Sequence, residues 1–312
     1  MLISLCFIQN RSEMGKMMKV LITGGTGLIG RKFIEEYRGI YDICVLSRKN
    51  SPNQQLLYDE VNIIEKLPEE NIYDVIINLA GEPIFAKRWS DKQKERLCQS
   101  RWALTGELID FIARSAHKPK CFISGSAIGY YGDTGGNITT EHDEAKHHDF
   151  SNQLCHKWEL TALQSEKYCR VVLLRTGIVL SNQGGALSQM LPAFKTYLGG
   201  ALGDGKQWMS WVHIKDMVNI IKYCIDNPLV VGAINCCAPN AVTNKEFSQK
   251  LAHVLKRPCV MVTPSFLLKL ILGERSELLL GSQNIYPEKL LVYGYEFKYP
   301  HLEPAFEQLL GN

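Results

Sequence analysis

A short run of β-formers, Val20, Leu21, Ile22 and Thr23, ends in glycines placed three residues apart at Gly24, Gly27 and Gly30. From Leu28 onward the apolar residues recur at helical spacing, so the chain turns from strand to helix across this loop. Gly24 permits the tight turn, Gly27 lets backbone approach a pyrophosphate, and Gly30 lets the helix pack closely. The opening helical residues, Leu28 and Ile29 among them, then present unpaired N–H groups and the positive end of a dipole. The loop therefore predicts a dinucleotide site.

The end of the next strand decides which dinucleotide. A carboxylate there takes the ribose 2′-hydroxyl of NAD. Here "DICVLSRK" ends in Leu46, Ser47, Arg48 and Lys49, with no carboxylate. A hydroxyl and a guanidinium suit a 2′-phosphate, which Arg binds in a bidentate manner. The expected cofactor is NADP(H).

The runs "KVLIT", "DICVL", "YDVIINLA", "KCFISGSA" and "RVVLLRTGIVL" are nearly continuous in apolar residues. Strands of that kind belong to parallel sheets covered on both faces. Helical stretches separate them, from Ser90 to His117 behind a Ser N-cap signature and from Ser151 to Lys167. The expected fold class is α/β, a Rossmann-type doubly wound parallel sheet, spanning about 18–180. "WVHIKDMVNIIKYCID" reads as a helix in a segment, about 208–240, that returns to this domain. The Gly-rich stretch 181–207 and residues 241–312 read as a smaller substrate-binding cap. Its helix opens at Thr243 with a capping box closed by Glu246 and runs to about Lys256. The first residues, 1–17, read as an extension without fixed structure, upstream of a start at Met14, Met17 or Met18.

A net charge of +3 with 21% charged residues gives no basic field that would imply a nucleic-acid or membrane-surface partner. No apolar run reaches the length of a membrane span. The ten cysteines show no CxxC pair or metal-ligand spacing. Cys44, Cys121, Cys169 and Cys236, inside apolar strand-like runs, read as small buried hydrophobes in a cytoplasmic protein. The expected partner is an unidentified small-molecule substrate, with the chain a monomer or a dimer.

Long motifs carry a family resemblance: the glycine loop at 20–30, "INLAGEPI" at 77–84, "RWSDKQKERLCQSR" at 88–101, "ISGSAIGYYGD" at 123–133, "LLRTGIVL" at 173–180, "GGALSQMLPAF" at 184–194 and "WVHIKDMV" at 211–218. Over about 18–310 the chain resembles the extended, epimerase-like branch of the short-chain dehydrogenase/reductases. Within it, the chain is similar to an atypical subgroup with its own C-terminal domain. The resemblance implies NADP contacts at the glycine loop, at Ser47 and Arg48, at Leu79 and Ala80, at Arg101 and at Val179. Arg101 also reads physically as a cation for phosphate or ribose oxygens, or as a surface arginine.

The same resemblance implies a catalytic Ser or Thr, then a Tyr, then a Lys four residues on. Ser124 or Ser126 fits the first place. The Tyr-x-x-x-Lys pair is missing. If Glu159 is matched to the family's final Glu, Ser151 stands for the Tyr and Cys155 for the Lys. A serine is a far weaker acid than a phenol, and a neutral thiol carries no positive charge. Tyr130, Tyr131 and Lys157 are the candidate substitutes. The two rings could equally cap the sheet, and Lys157 reads as solvent-facing. The sequence thus leaves two readings, an oxidoreductase or isomerase with altered acid/base groups and a catalytically silent NADP(H)-binding module. "EHDEAKHHD", with His142, His147 and His148, reads as a solvated loop with no metal site. His213 reads as a residue that orients a turn against Asp216.

Overall fold

The computed structural model describes residues 17–48, 61–145 and 149–311. Residues 1–16, with the proposed start at Met14, and Lys49, His147 and His148 lie outside them, while the alternative starts Met17 and Met18 lie inside. The first half of the chain runs β1 (Lys19–Thr23), α1 (Leu28–Tyr37), β2 (Asp42–Leu46), β3 (Asn62–Ile64), β4 (Val75–Asn78), α2 (Asp91–Arg114) and β5 (Cys121–Ala127). A 3-10 turn (Ile128–Tyr131), β6 (Ile138–Thr139), α3 (Phe150–Leu163) and β7 (Arg170–Thr176) follow. Seven strands form one parallel sheet in the order β12-β7-β5-β4-β1-β2-β3, with β12 (Gly232–Cys236) returning from far along the chain. This is the Rossmann-type α/β arrangement that the apolar strand runs predict.

Consecutive strand residues serve opposite faces, which is why those runs do not alternate with polar residues. Ile22, Ile77 and Ile123 pack with Phe33 of α1 and Met217 on one side. Leu21, Ile76 and Phe122 pack with Leu108 and Phe111 of α2 and Ala162 of α3 on the other. Ser90 is the cap the sequence signals, whereas Asp149 caps a helix that the sequence reading started at Ser151. Ser90 accepts a hydrogen bond from the Gln93 amide, and Asp149 accepts one from Asn152.

The second half carries β8 (Ile178–Leu180), α4 (Gly185–Lys195), β9 (Gly200–Leu202), β10 (Trp208–Met209), β11 (Trp211–His213) and α5 (Ile214–Asp226) before β12. After it come β13 (Val242–Thr243), α6 (Asn244–Val254), β14 (Met261–Thr263), α7 (Ser265–Leu272), α8 (Glu277–Leu280), β15 (Asn284–Ile285), α9 (Glu288–Val292) and α10 (Leu302–Leu310). Thr243 caps α6 through the Glu246 amide. The short strands pair two by two, β8 with β11, β9 with β14, β10 with β13 and β6 with β15. Among the described residues no helix is long and apolar enough to cross a membrane.

Two stretches differ from their sequence reading. "RVVLLRTGIVL" is not one strand but breaks at Gly177, where a Cβ would lie 2.8 Å from the Ser210 carbonyl oxygen. The chain bends there so that β8 leaves the main sheet for β11. The helix read into "WVHIKDMVNIIKYCID" begins only at Ile214, because Trp211–His213 form that partner strand. His213 does orient the turn, but not against Asp216. Its Nδ1 accepts from the Lys215 amide as the N-cap of α5, and its Nε2 pairs with Gln308. Burial pulls the imidazole down to about 4, so it is a neutral cap. Asp216 instead accepts from the Lys298 and Tyr299 amides.

Candidate functional site

Strand order reverses about β1, with β2 on one side and β4 on the other, and ligands of doubly wound sheets bind outside the carboxyl ends at such a point. Here β1 ends in Thr23 and β4 in Asn78, both buried polar residues closing apolar strands. Thr23 Oγ1 donates to Asn78 Oδ1 at 2.7 Å and accepts from the Ala80 amide at 3.3 Å. The glycine loop leaves from the same place. Gly24 has φ +73°, and a Cβ on it would lie 2.6 Å from the Leu79 carbonyl carbon. The two strand-end loops therefore touch backbone to backbone, and Leu79 and Ala80 stand beside Gly24.

The other two glycines differ from each other in what surrounds them. A Cβ on Gly30 would come 2.3 Å from the Gly24 carbonyl oxygen and 2.7 Å from Gly25 Cα, so α1 packs against its own loop. A Cβ on Gly27 would meet only the Gly24 carbonyl oxygen, at 3.1 Å, with no other atom within 4 Å. The cradle is thus open on its outer side at Gly27. Leu28 closes one wall, with Gly184 and Gly185 against its methyl groups and the Val179 carbonyl oxygen 3.5 Å from where a Gly185 Cβ would stand. Ile29 turns inward and packs against the core of the α1 side.

At the far wall, Ser47 is buried with its amide bonded to the Ile64 carbonyl, and Arg48 is exposed. The first turn of α1 carries no acidic residue, and the Nε of Arg31 is buried without a hydrogen-bond partner among the described residues. A neutral cradle, the helix N-terminus and an Arg31 Nε without a partner among the described residues fit an anionic dinucleotide.

Arg101 lies under the loop that follows β4. Its guanidinium donates to the carbonyl oxygens of Glu82 and Leu97, each at 3.1 Å, and sits 5.3 Å from the Trp158 ring. Burial holds its pKa below the ordinary value. A hydrogen-bond chain ties this loop to the third helix. Asn78 Nδ2 donates to Thr105 Oγ1 at 2.8 Å, Trp158 Nε1 donates to the same oxygen at 3.0 Å, and Thr105 donates to the Arg101 carbonyl.

The candidate acid/base groups form a second cluster. Ser126 donates to Glu159 at 2.6 Å, and Arg175 grips the same carboxylate through Nε at 2.9 Å and Nη2 at 2.8 Å. Arg175 Nη1 donates to the Tyr131 hydroxyl, which donates to Asn235 Oδ1, each at 2.8 Å. Burial would pull the Arg175 guanidinium down, but the Glu159 carboxylate outweighs it and leaves it above its ordinary value. Burial likewise raises the Tyr131 phenol, against the Arg175 charge. Ser124 is fully buried, its hydroxyl 3.3 Å from the Gly125 carbonyl oxygen.

Tyr130 differs from these. Its ring lies 3.5 Å from the Arg175 guanidinium, and its hydroxyl has no partner among the described residues. It helps line a groove of about 280 Å³ with His156, Glu159, Leu160 and Arg175. The structure therefore places Gly24 beside Leu79 and Ala80, Leu28 beside Gly185 and Val179, and Arg101 under the loop after β4. Ser126, Tyr130 and Tyr131 join α3, β7 and β12 instead. Ser151 and Cys155 lie at the head of α3 under Gly129, whose Cβ would stand 3.2 Å from Ser151 Cβ and 3.7 Å from the Cys155 sulfur. Burial pushes the Cys155 thiol up to about 12, so it is neutral. Lys157 sits over the Trp102 ring at 4.2 Å, and His142 stands 4.0 Å from Glu288. Among the described residues no group of three or more His, Cys, Asp or Glu could hold a metal ion.

Sequence reasoning passed over Thr23, Asn78, Thr105, Arg175 and Asn235. The signal for Arg175 was present, since a charge inside an apolar run buried on both faces has to be paired.

Comparison with known proteins identifies the family and the fold. Residues 20–237 match the NAD dependent epimerase/dehydratase family, and residues 263–309 match a domain of unknown function, DUF1731. The chain is 36% identical to the epimerase family protein SDR39U1 homolog, chloroplastic, of Arabidopsis thaliana, covering 98% of this chain and 89% of the relative. It is 35% identical to the epimerase family protein YfhF of Bacillus subtilis, over 95% and 99% of the two chains. The crystal structure of human epimerase family protein SDR39U1 with NADPH superposes with a TM-score of 0.86 at 30% identity, covering 95% of this chain and all of that one. A UDP-glucuronic acid 4-epimerase from Bacillus cereus shares the fold, at TM-score 0.75 and 15% identity over 94% and 98% of the chains.

Proposed function

The chain belongs to the NAD-dependent epimerase/dehydratase family, and from that premise we propose that it binds NADP(H) in the crevice between β1 and β4. The observation that carries this reading is the pairing of an open glycine cradle with a strand end free of carboxylate. Gly27 leaves room for a pyrophosphate, the α1 amides bind it, and Ser47 and Arg48 take the 2′-phosphate. Leu79, Ala80 and Val179 line the remaining wall, and Arg101 fixes the loop that carries Ala80. That the human relative was crystallised with NADPH supports the choice of cofactor. All described cysteines are unpaired, which suits a reducing cytoplasm.

Calorimetric titration tests the reading. NADPH should bind roughly ten- to hundredfold more tightly than NADH, the weight of one Arg–phosphate contact. Arg48→Ala should remove most of that preference and leave NADH binding nearly unchanged. Equal affinities in the wild-type protein would overturn it.

When bound, NADP(H) supplies hydride exchange, and the finer reading is an oxidoreductase or isomerase acting on a small or nucleotide-linked substrate. Of the four acid/base candidates, Ser126 and Tyr131 have their hydroxyls committed to Glu159, Arg175 and Asn235, and Ser124 is sealed. Tyr130 is the one whose hydroxyl has no partner among the described residues and so is the acid/base candidate that remains, but its ring stacks on Arg175 in the groove rather than in the crevice. The committed hydroxyls favour the second reading, a silent NADP(H)-binding sensor or scaffold. A panel of carbonyl compounds and nucleotide sugars with NADPH separates the two. Any turnover found should stay within a few-fold in Ser151→Ala and Cys155→Ala, since neither group carries the charge or acidity of the missing pair. A large loss in either variant would return the centre to the head of α3. No turnover on any substrate, with NADPH still raising the melting temperature, would leave the silent module.

A further inference from the structure

The β9–β14 pair and α7 form a surface whose residues are not among those assigned to the cofactor. β14 is hydrogen-bonded on one side only. The outer edge of β9 is sealed by its own chain, with Asn244 Oδ1 accepting from the Leu202 amide at 2.8 Å, Ser248 donating to the Gly200 carbonyl at 3.1 Å and Gln207 to the Leu202 carbonyl at 3.1 Å. β14 has no such side chains. Its sequence around Val260 to Thr263 holds none of the charges that usually block edge pairing, and Pro258 and Pro264 confine the open edge to the few residues between them.

The side chains around that edge are apolar and in water. Tyr197, Val260, Val262, Phe266, Leu270 and Ile271 are 56% to 77% exposed, and α7 buries only Leu268. At about 150–250 Å² for a whole aromatic residue and less for an aliphatic one, these six leave on the order of 700 Å² of apolar surface in water. That exceeds the roughly 300–600 Å² of the largest patch on a typical monomer and approaches the ~800 Å² each partner gives a stable interface. α7 carries a single cation, Lys269, too little for attraction to an anionic lipid surface.

We propose that this face is the interface of a two-fold symmetric dimer. In it β14 pairs antiparallel with β14 of a second copy, and the α7 faces close on the seam from both sides. An unpaired strand edge can pair with the same edge of a second copy about a two-fold axis, and the exposed apolar area beside it is close to what each partner gives a stable dimer. The two features together therefore select a second copy as the occupant.

Sedimentation velocity of the full chain across a concentration series tests this. The wild-type protein should reach twice the chain mass. Val262→Lys combined with Leu270→Glu should raise the dimer dissociation constant at least about a hundredfold, the loss of a hot-spot cluster. Phe266→Glu alone should weaken it in the same direction. All three positions are exposed and none is among the residues assigned to the cofactor, so the variants should keep the wild-type melting temperature and its rise with NADPH. A monomer at every concentration would overturn the proposal, as would a dimer unmoved by either variant. A monomeric protein that co-sediments with phosphatidylserine vesicles would also overturn it and mark the face as a membrane surface.

Discussion

Gly27→Val is expected to lower NADPH affinity at least about a hundredfold while leaving the unliganded protein folded. The backbone at Gly27 has φ −78° and ψ 173°, extended geometry open to any residue. The new Cβ would meet one carbonyl oxygen, at 3.1 Å, that has to give by a few tenths of an ångström. Valine is a poor N-cap, so a cost of about 1 kcal/mol and a few degrees of melting temperature is the most the fold should lose. The isopropyl group instead fills the open side of the cradle, where the pyrophosphate approaches. Gly30→Val is the contrasting control. Its Cβ would stand 2.3 Å from backbone that cannot yield, so that variant should fail to fold. Calorimetry and thermal melts read both. Normal NADPH binding by the Gly27→Val protein would place the cofactor elsewhere.

Arg175→Met should cost about 3–5 kcal/mol of stability, the usual penalty for stranding one charge of a buried pair. Glu159 and Arg175 are 4% and 5% exposed, and the guanidinium also supplies a donor to Tyr131 and a cation to the Tyr130 ring. Removing it leaves the Glu159 carboxylate with the Ser126 hydroxyl. The melting temperature should fall by roughly 10 °C. A double variant, Arg175→Met with Glu159→Leu, removes both charges and should recover most of the loss, because well-packed apolar replacements of buried pairs are often neutral. NADPH affinity should change little, since the pair lies outside the crevice. A single variant that melts like the wild type would mean that the charges are hydrated in the groove rather than paired in the core.

The parts of the fold that could be read in the sequence are those that local physics dictates. Apolar runs without alternation mean two-sided burial, and Leu21 and Ile22 do pack on opposite faces. Ser90 and Thr243 cap their helices because the acceptor and the amide lie three residues apart. The glycine loop was legible for the same reason. What could not be read depends on partners distant in sequence. The break at Gly177 follows from crowding by Ser210 and Cys237, and the strand at Trp211–His213 exists because β8 is there to receive it. Arg175 stands out as a charge in an apolar strand, but that it holds Glu159 and Tyr131 is a property of the packed sheet.

Residues 283–310 reach into three of the hydrophobic clusters of this molecule. Leu290 and Tyr295 belong to the core on the α1 side of the sheet, Leu302 and Phe306 to the core around α6, and Ile285 to the cluster at Tyr131. Asn235, which anchors Tyr131, itself donates to the Tyr286 carbonyl, and Gln283 donates to the carbonyls of Ile128 and Gly132. A ribosome delivers a chain from its N-terminus at about 5–20 residues per second, and domains able to do so fold as they emerge. Here the strands of the large sheet emerge long before the segment that completes its polar contacts and fills its edges. The nascent protein must therefore wait, partly packed, until its final helix is released, and the interval is a window in which chaperones have apolar sheet to hold.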